Sequence, residues 1–80
     1  MTIFDGINLS GKDLSESDFE HTSFKNTNLS NTNLRHATFI AADLTDVNLT
    51  GADLSKSNLQ WARLGGANLT EANLTGANLN

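Results

Sequence analysis

Every Leu and Phe in the chain stands at a residue number ending in 4 or 9. The series runs Phe4, Leu9, Leu14, Phe19, Phe24, Leu29, Leu34, Phe39, Leu44, Leu49, Leu54, Leu59, Leu64, Leu69, Leu74 and Leu79, sixteen large apolar side chains at a constant spacing of five. The residue two before each is small or β-branched nearly throughout, as in Ile7, Thr22, Thr32, Ala37, Val47, Ala52 and Ala72, and the residue just before is mostly Asn or Asp. A period of five suits neither regular element. On an α-helix five steps of about 100° carry the next Leu about 140° round the cylinder, so the series would decorate every face. On a flat strand five steps change face each time, because side chains alternate with a period of two. All sixteen side chains reach one core only if the chain turns once in each pentapeptide, so that each unit forms one side of a coil. The Ser, Thr, Asn, Asp and Gly between the leucines suit such turns, because they bond to nearby backbone or tolerate positive φ.

This pattern, written as Ala52-Asp53-Leu54-Ser55-Lys56, Ala67-Asn68-Leu69-Thr70-Glu71 and Ala72-Asn73-Leu74-Thr75-Gly76, resembles the bacterial pentapeptide-repeat family from Thr2 to Asn80. The resemblance implies an all-β fold, a right-handed quadrilateral β-helix with the Leu or Phe and the residue two before it pointing inward. Spacing alone leaves three or four sides per coil open; the family implies four. Residues 1–80 then form a single pentapeptide-repeat domain of about four coils with no evident terminal cap, each coil repeating at i+20. Coils at strand spacing, about 4.8 Å, give a stub roughly 20 Å tall. Phe4 is expected under Phe24 and Phe19 under Phe39. Lys12 breaks the pattern by taking an inward position in the first coil, with Ser17 nearby, and is expected to snorkel out to water through the coil end.

Length and composition narrow the function. Eighty residues make one domain. Without cysteine, stability rests on packing and backbone hydrogen bonds. Nine acids against five bases, a net charge of −4, argue against direct binding of nucleic acid or an anionic membrane by charge. No apolar run reaches the length of a membrane span, and the chain opens without the basic and apolar stretches of a signal peptide, so a cytoplasmic address is expected.

No catalytic constellation, cofactor motif or metal-ligand spacing stands out, so no enzyme, cofactor or metal is expected. The carboxylates scatter over all four faces, and His21 and His36 read as surface residues. Stacking at i+20 pairs Asp5 with Lys25 and Asp43 with Arg63, brings Glu16 near His36 and Lys56, and sets Asn8, Asn28, Asn48 and Asn68 in one ladder. Two candidate protein-interaction surfaces emerge. Ile40, Ala41 and Trp61 share one face in adjacent coils, with an exposed Trp as anchor. Leu64, Leu69, Leu74 and Leu79 form a last coil without covering charge, proline or helix, which suits an end-to-end homodimer or a continuing solenoid. The leading reading is a non-enzymatic structural and protein-interaction module with an unidentified protein partner. The family resemblance adds an alternative, a DNA-mimicking protein that binds a type II topoisomerase and inhibits gyrase or protects it from drugs.

Overall fold

Each pentapeptide folds as a short extended segment followed by a sharp corner. A computed structural model describes residues 2–80. The residue before each inward Leu or Phe is bridged in parallel to the residue twenty further on: Ile3 to Ser23, Asn8 to Asn28, Asp13 to Asn33, Asp18 to Thr38, and so on to Asn58 with Asn78. One circuit therefore takes four pentapeptides, which resolves the choice between three and four sides. The pairing is a column of single-residue bridges and not a sheet of long strands. The reason is geometric: two of every five residues are spent on the corner, and the remaining three leave room for one bridged residue per side.

Three backbone bonds per side tie successive circuits. The N–H of Leu9 donates to the Asn28 carbonyl at 2.8 Å, that of Gly11 to Ser30 at 2.9 Å, and that of Asn28 returns to Ile7 at 3.0 Å. The same set recurs around the helix. Within the corner, the N–H of Ala37 donates to the Leu34 carbonyl at 3.1 Å, closing a four-residue turn. The second central residue of every corner has positive φ, from Gly6 at 72° to Glu71 at 58° and Gly76 at 71°. That is the requirement of a type II turn. Only five of these corners hold Gly; the others are Glu16, His21, Asn26, Asn31, His36, Ala41, Asp46, Lys56, Trp61 and Glu71. None is β-branched, because a branched Cβ is the least tolerable side chain in the left-handed region.

The residue after each Leu has an N–H that the ladder does not use, and this explains the Asn or Asp that stands before most of them. The Oδ1 of Asn28 accepts the Ser30 N–H at 3.0 Å, Asp53 accepts Ser55 at 3.0 Å, and Asn58 accepts Gln60 at 3.0 Å. Such a bond contributes about 0.5–1.5 kcal/mol. The Asn column on one face is thus held by its backbone bridges, while Asn8, Asn28, Asn48 and Asn68 each turn Oδ1 back to their own chain, at 3.0 Å in every case. The expected side-chain ladder gives way to local capping, which satisfies an N–H that would otherwise lack a partner.

The core lies in residues 21–60. Phe24, Leu29, Leu34, Phe39, Leu44, Leu49 and Leu54 are fully enclosed, with Ala37, Ala42, Val47 and Ala52 filling the smaller inward positions. Phe4 stacks beneath Phe24 at 5.2 Å and Phe19 beneath Phe39 at 5.3 Å, as the register predicts. Phe19 also meets the edge of Phe24 at 5.0 Å, so the four rings form one cluster across two adjacent sides. Polar side chains in the inward positions bond to carbonyls, as when the Thr27 hydroxyl donates to Phe4 at 2.8 Å and Thr32 to Leu29 at 2.7 Å. Ser57 departs from this: its buried hydroxyl has no partner. Lys12 is exposed despite its inward position, and its N–H makes no turn bond to Leu9.

Candidate functional site

The outward side chains sit on four corners and four bridged columns, and their contacts follow a diagonal. The Lys25 ammonium reaches the Asp43 carboxylate at 3.7 Å, and the Arg35 guanidinium reaches Asp53 at 3.6 Å. Both pairs are eighteen residues apart, joining the residue after one inward Phe or Leu to the residue before the inward Leu one circuit on. The Ser23 hydroxyl donates to Asp5 on the same diagonal, at 2.6 Å. This corrects the straight i+20 pairs. Asp5 meets Lys25 through the backbone N–H, at 3.1 Å, and not through the ammonium. Asp43 pairs with Lys25 in place of Arg63, and Glu16 forms no ion pair with His36 or Lys56 among the described residues. The signal was available: a corner side chain leans back along its side, so its neighbour in the next circuit is two residues short of the straight register.

These contacts set the local electrostatics. The Thr45 hydroxyl, donating at 2.5 Å, holds the Asp43 carboxyl below the usual range, with Lys25 and Arg63 adding to the effect. Ser55, and then Arg35, lower Asp53 in the same way. The Ser15 hydroxyl at 2.8 Å and its N–H lower Asp13. Each carboxylate is thereby engaged within its own patch. His21 lies 3.7 Å from Glu20 at the surface, His36 is exposed, and no cluster of potential metal ligands occurs among the described residues.

The first candidate surface is brought together as its spacing predicts. One corner carries Glu20 and His21, then Ile40 and Ala41, then Gln60 and Trp61. Its rungs are joined by the His21 N–H to Ile40, Ala41 to Gln60 and Trp61 to Asn80 carbonyls, each at 2.9 Å. Ile40 and Ala41 are half-buried, while Trp61 is 71% exposed. Little of the indole is therefore covered by Ala41 below it. Thr38 takes the place of Asn or Asp before Phe39, and its hydroxyl is buried without a partner, so the Ile40 N–H lacks the cap its counterparts have. This corner stands directly outside the Phe cluster.

The second candidate surface is the last circuit. Leu64, Leu69 and Leu74 are half-buried, and Leu79 is 56% exposed. The N–H groups of these four leucines and the carbonyls of Ala62, Ala67, Ala72 and Ala77 have no backbone partner among the described residues. The two candidate surfaces meet at the Trp61 corner. No helix is long and apolar enough to cross a membrane.

Comparison with known proteins agrees with this architecture. A sequence profile for the pentapeptide repeat region matches residues 2–74. A search of the curated proteins returned no match. Among solved structures, a pentapeptide repeat protein from Nostoc PCC 7120 is 36% identical with a TM-score of 0.78, over 84% of this chain and 55% of that one. A pentapeptide repeat protein from the Arabidopsis thaliana thylakoid lumen is 39% identical with a TM-score of 0.61, over 90% of this chain and 53% of that one. HetL, a pentapeptide repeat protein of Nostoc sp. strain PCC 7120 involved in heterocyst differentiation regulation, is 34% identical with a TM-score of 0.57, over 95% of this chain and 40% of that one. The chain thus spans about half the length of these structures or less. They come from cyanobacteria and a plant, so the likeness does not by itself select a bacterial source. The matching profile, the twenty-residue register and the inward Leu and Phe columns together assign the chain to the pentapeptide repeat family, whose fold is the right-handed quadrilateral β-helix.

Proposed function

We propose that the protein is a non-enzymatic scaffold of about four coils that holds a protein partner against the corner formed by Ile40, Ala41 and Trp61. The observation that carries this reading is the indole of Trp61, 71% exposed on a backbone fixed by a turn and by the ladder bond to Asn80. A large aromatic presented on a rigid support loses little conformational freedom on binding, which is how anchor residues contribute most of an interface's energy. The flanking Ile40, Ala41 and Gln60 give this anchor a mixed apolar and polar surround. The last circuit, with Leu64, Leu69, Leu74 and Leu79, is read as a contact for a second copy of the chain. Local pairing of Asp43 with Lys25 and Asp53 with Arg35 favours the scaffold over a DNA-like acidic stripe.

Trp61 is the sole tryptophan, so it reports on its own environment. A photo-crosslinker at position 61 is expected to capture a discrete partner that the same group at Asn31, on another corner, does not. Ile40→Asp is expected to abolish the product while leaving the thermal unfolding midpoint nearly unchanged. Equal capture at both positions, or indifference to Ile40→Asp, refutes the assignment of this corner.

A further inference from the structure

The corner column of His21, Ala41 and Trp61 forms a slot. All three occupy the same place in the turn, with φ of 58°, 58° and 60°. The ladder bonds from the His21 N–H to Ile40 and from the Ala41 N–H to Gln60 set them one circuit apart. Their Cβ atoms therefore stack in line at about 4.8 Å per circuit, which puts about 9.6 Å between those of His21 and Trp61. Ala41 ends at Cβ, so nothing of its own fills the space between them. Trp61 is 71% exposed, the His21 side chain is 68% exposed and Ala41 is half-buried, so neither ring is packed down over the gap. Both walls and the floor belong to successive circuits joined by the Asp18, Thr38 and Asn58 bridges. The slot is open to the surface, and no enclosed pocket occurs among the described residues.

The charge around the slot has one sign. The side that ends at this corner comprises residues 17–21, 37–41, 57–61 and 77–80; it carries Asp18 and Glu20 with no Lys or Arg, and all five bases stand on other sides. Asp43 and Asp53 are paired with Lys25 and Arg35, whereas Glu20 reaches no base among the described residues but His21, 3.7 Å away. A cation seated over Ala41 lies about 4.8 Å from the Glu20 rung and as far from the Trp61 rung, within the roughly 6 Å over which an aromatic face attracts a positive charge. A planar guanidinium suits the slot better than an ammonium, because it stacks on an aromatic face while its edge donates to a carboxylate. A backbone donor lies alongside. The N–H groups of Glu20, Gln60 and Asn80 are capped by Asp18, Asn58 and Asn78 at 3.0, 3.0 and 3.1 Å. That of Ile40 has no acceptor among the described residues, and the Thr38 hydroxyl beside it is buried without a partner.

We propose that this corner recognises an arginine side chain of its protein partner. The guanidinium sits over Ala41 between Trp61 and His21, Glu20 is its counter-charge, and the Ile40 N–H donates to a carbonyl of the same segment. The inference rests on the reading of this corner as the partner-binding face and adds the chemistry of what that face takes.

The test is a titration of the full chain with N-acetyl-arginine amide, followed by the indole N–H resonance of Trp61, alongside the corresponding lysine and norleucine amides. Arginine is expected to shift that resonance saturably and to bind more tightly than lysine, with no saturable response to norleucine. Ala41→Met fills the slot with a long unbranched side chain, of the kind that Lys56 places at the same turn position, and is expected to abolish the response. Glu20→Gln is expected to weaken it about two- to fivefold, the effect of removing one exposed ion pair. Circular dichroism checks that both variants keep the β-helix, and the three amides on the parent chain decide the question without either variant. No saturable response to arginine, an equal response to norleucine, or an arginine response unchanged in folded Ala41→Met overturns the proposal. Photo-crosslinking at position 61 separates it from the reading beneath it. A discrete product with no saturable arginine response overturns the arginine site and leaves the contact face standing; a saturable arginine response without any product does the reverse.

Discussion

The middle of the molecule and its ends are written in the same repeat, yet they differ in almost every physical property. Between residues 21 and 60 the Leu and Phe side chains are enclosed, whereas in the first and last circuits Ile7 is 45% exposed and Leu79 is 56% exposed. The local sequence does not account for this. Leu49 and Leu69 have nearly identical neighbours, Asn before and Thr after, and the same turn. What differs is the number of circuits against which each packs: two for the middle, one for the ends. Stability in such a fold is a property of neighbouring coils, not of the pentapeptide.

The comparison is broken most directly by equivalent truncations in the two regions. Phe24→Ala, which removes a ring stacked on Phe4 and edge-on to Phe19, is expected to cost about 3–5 kcal/mol. Leu79→Ala is expected to cost less than about 1 kcal/mol, since much of its surface is already in water. Unfolding by urea measures both, and equal losses would mean that the coils do not share their stability in this way. A smaller effect of opposite sign is expected at Ser57, where replacement by Ala removes a buried hydroxyl without a partner and matches Ala37 and Ala77 in the same column. Ser57→Ala is expected to stabilise by about 1 kcal/mol, and Ser17→Ala, in the open first circuit, to change stability little.

The smallest difference is one of pH. The Asp43 and Asp53 carboxyls are lowered in the folded chain, chiefly by Thr45 and Ser55, so they favour folding above the ordinary aspartate value of about 3.9. That contribution is lost as pH falls through their lowered folded values. Asp43→Asn keeps an oxygen for the Thr45 N–H and is expected to flatten the acid limb of stability against pH. Asp13→Asn is expected to flatten it less, because at the open end water competes with the Ser15 bonds. A scan of melting temperature from pH 5 downward, on the two variants, separates them.

Much of this molecule was legible in its sequence. The five-residue period required a turn per pentapeptide, the i+20 register placed Phe4 under Phe24, and Lys12 was expected to leave the core. Ile40, Ala41 and Trp61 were likewise brought to one corner by counting alone. The ion pairs were misread because the straight register describes bridged backbone, while Lys25 and Arg35 lean from a corner toward Asp43 and Asp53 two residues short of it. The Asn column was misread because each side chain has a closer customer in its own chain, the N–H two residues on.

The twenty-residue register also governs how such a gene can change in length. Loss of five codons leaves every pentapeptide intact but rotates all later columns by one side: between Phe4 and Phe24 it separates those two rings, and between Lys25 and Asp43 it separates that ion pair. Gain or loss of twenty codons moves no column at all: a whole circuit enters or leaves, and every side chain beyond it finds a neighbour of its former kind. Length variation in this fold is therefore quantised in units of a full circuit, and recombination between repeats twenty codons apart is the step that preserves the molecule.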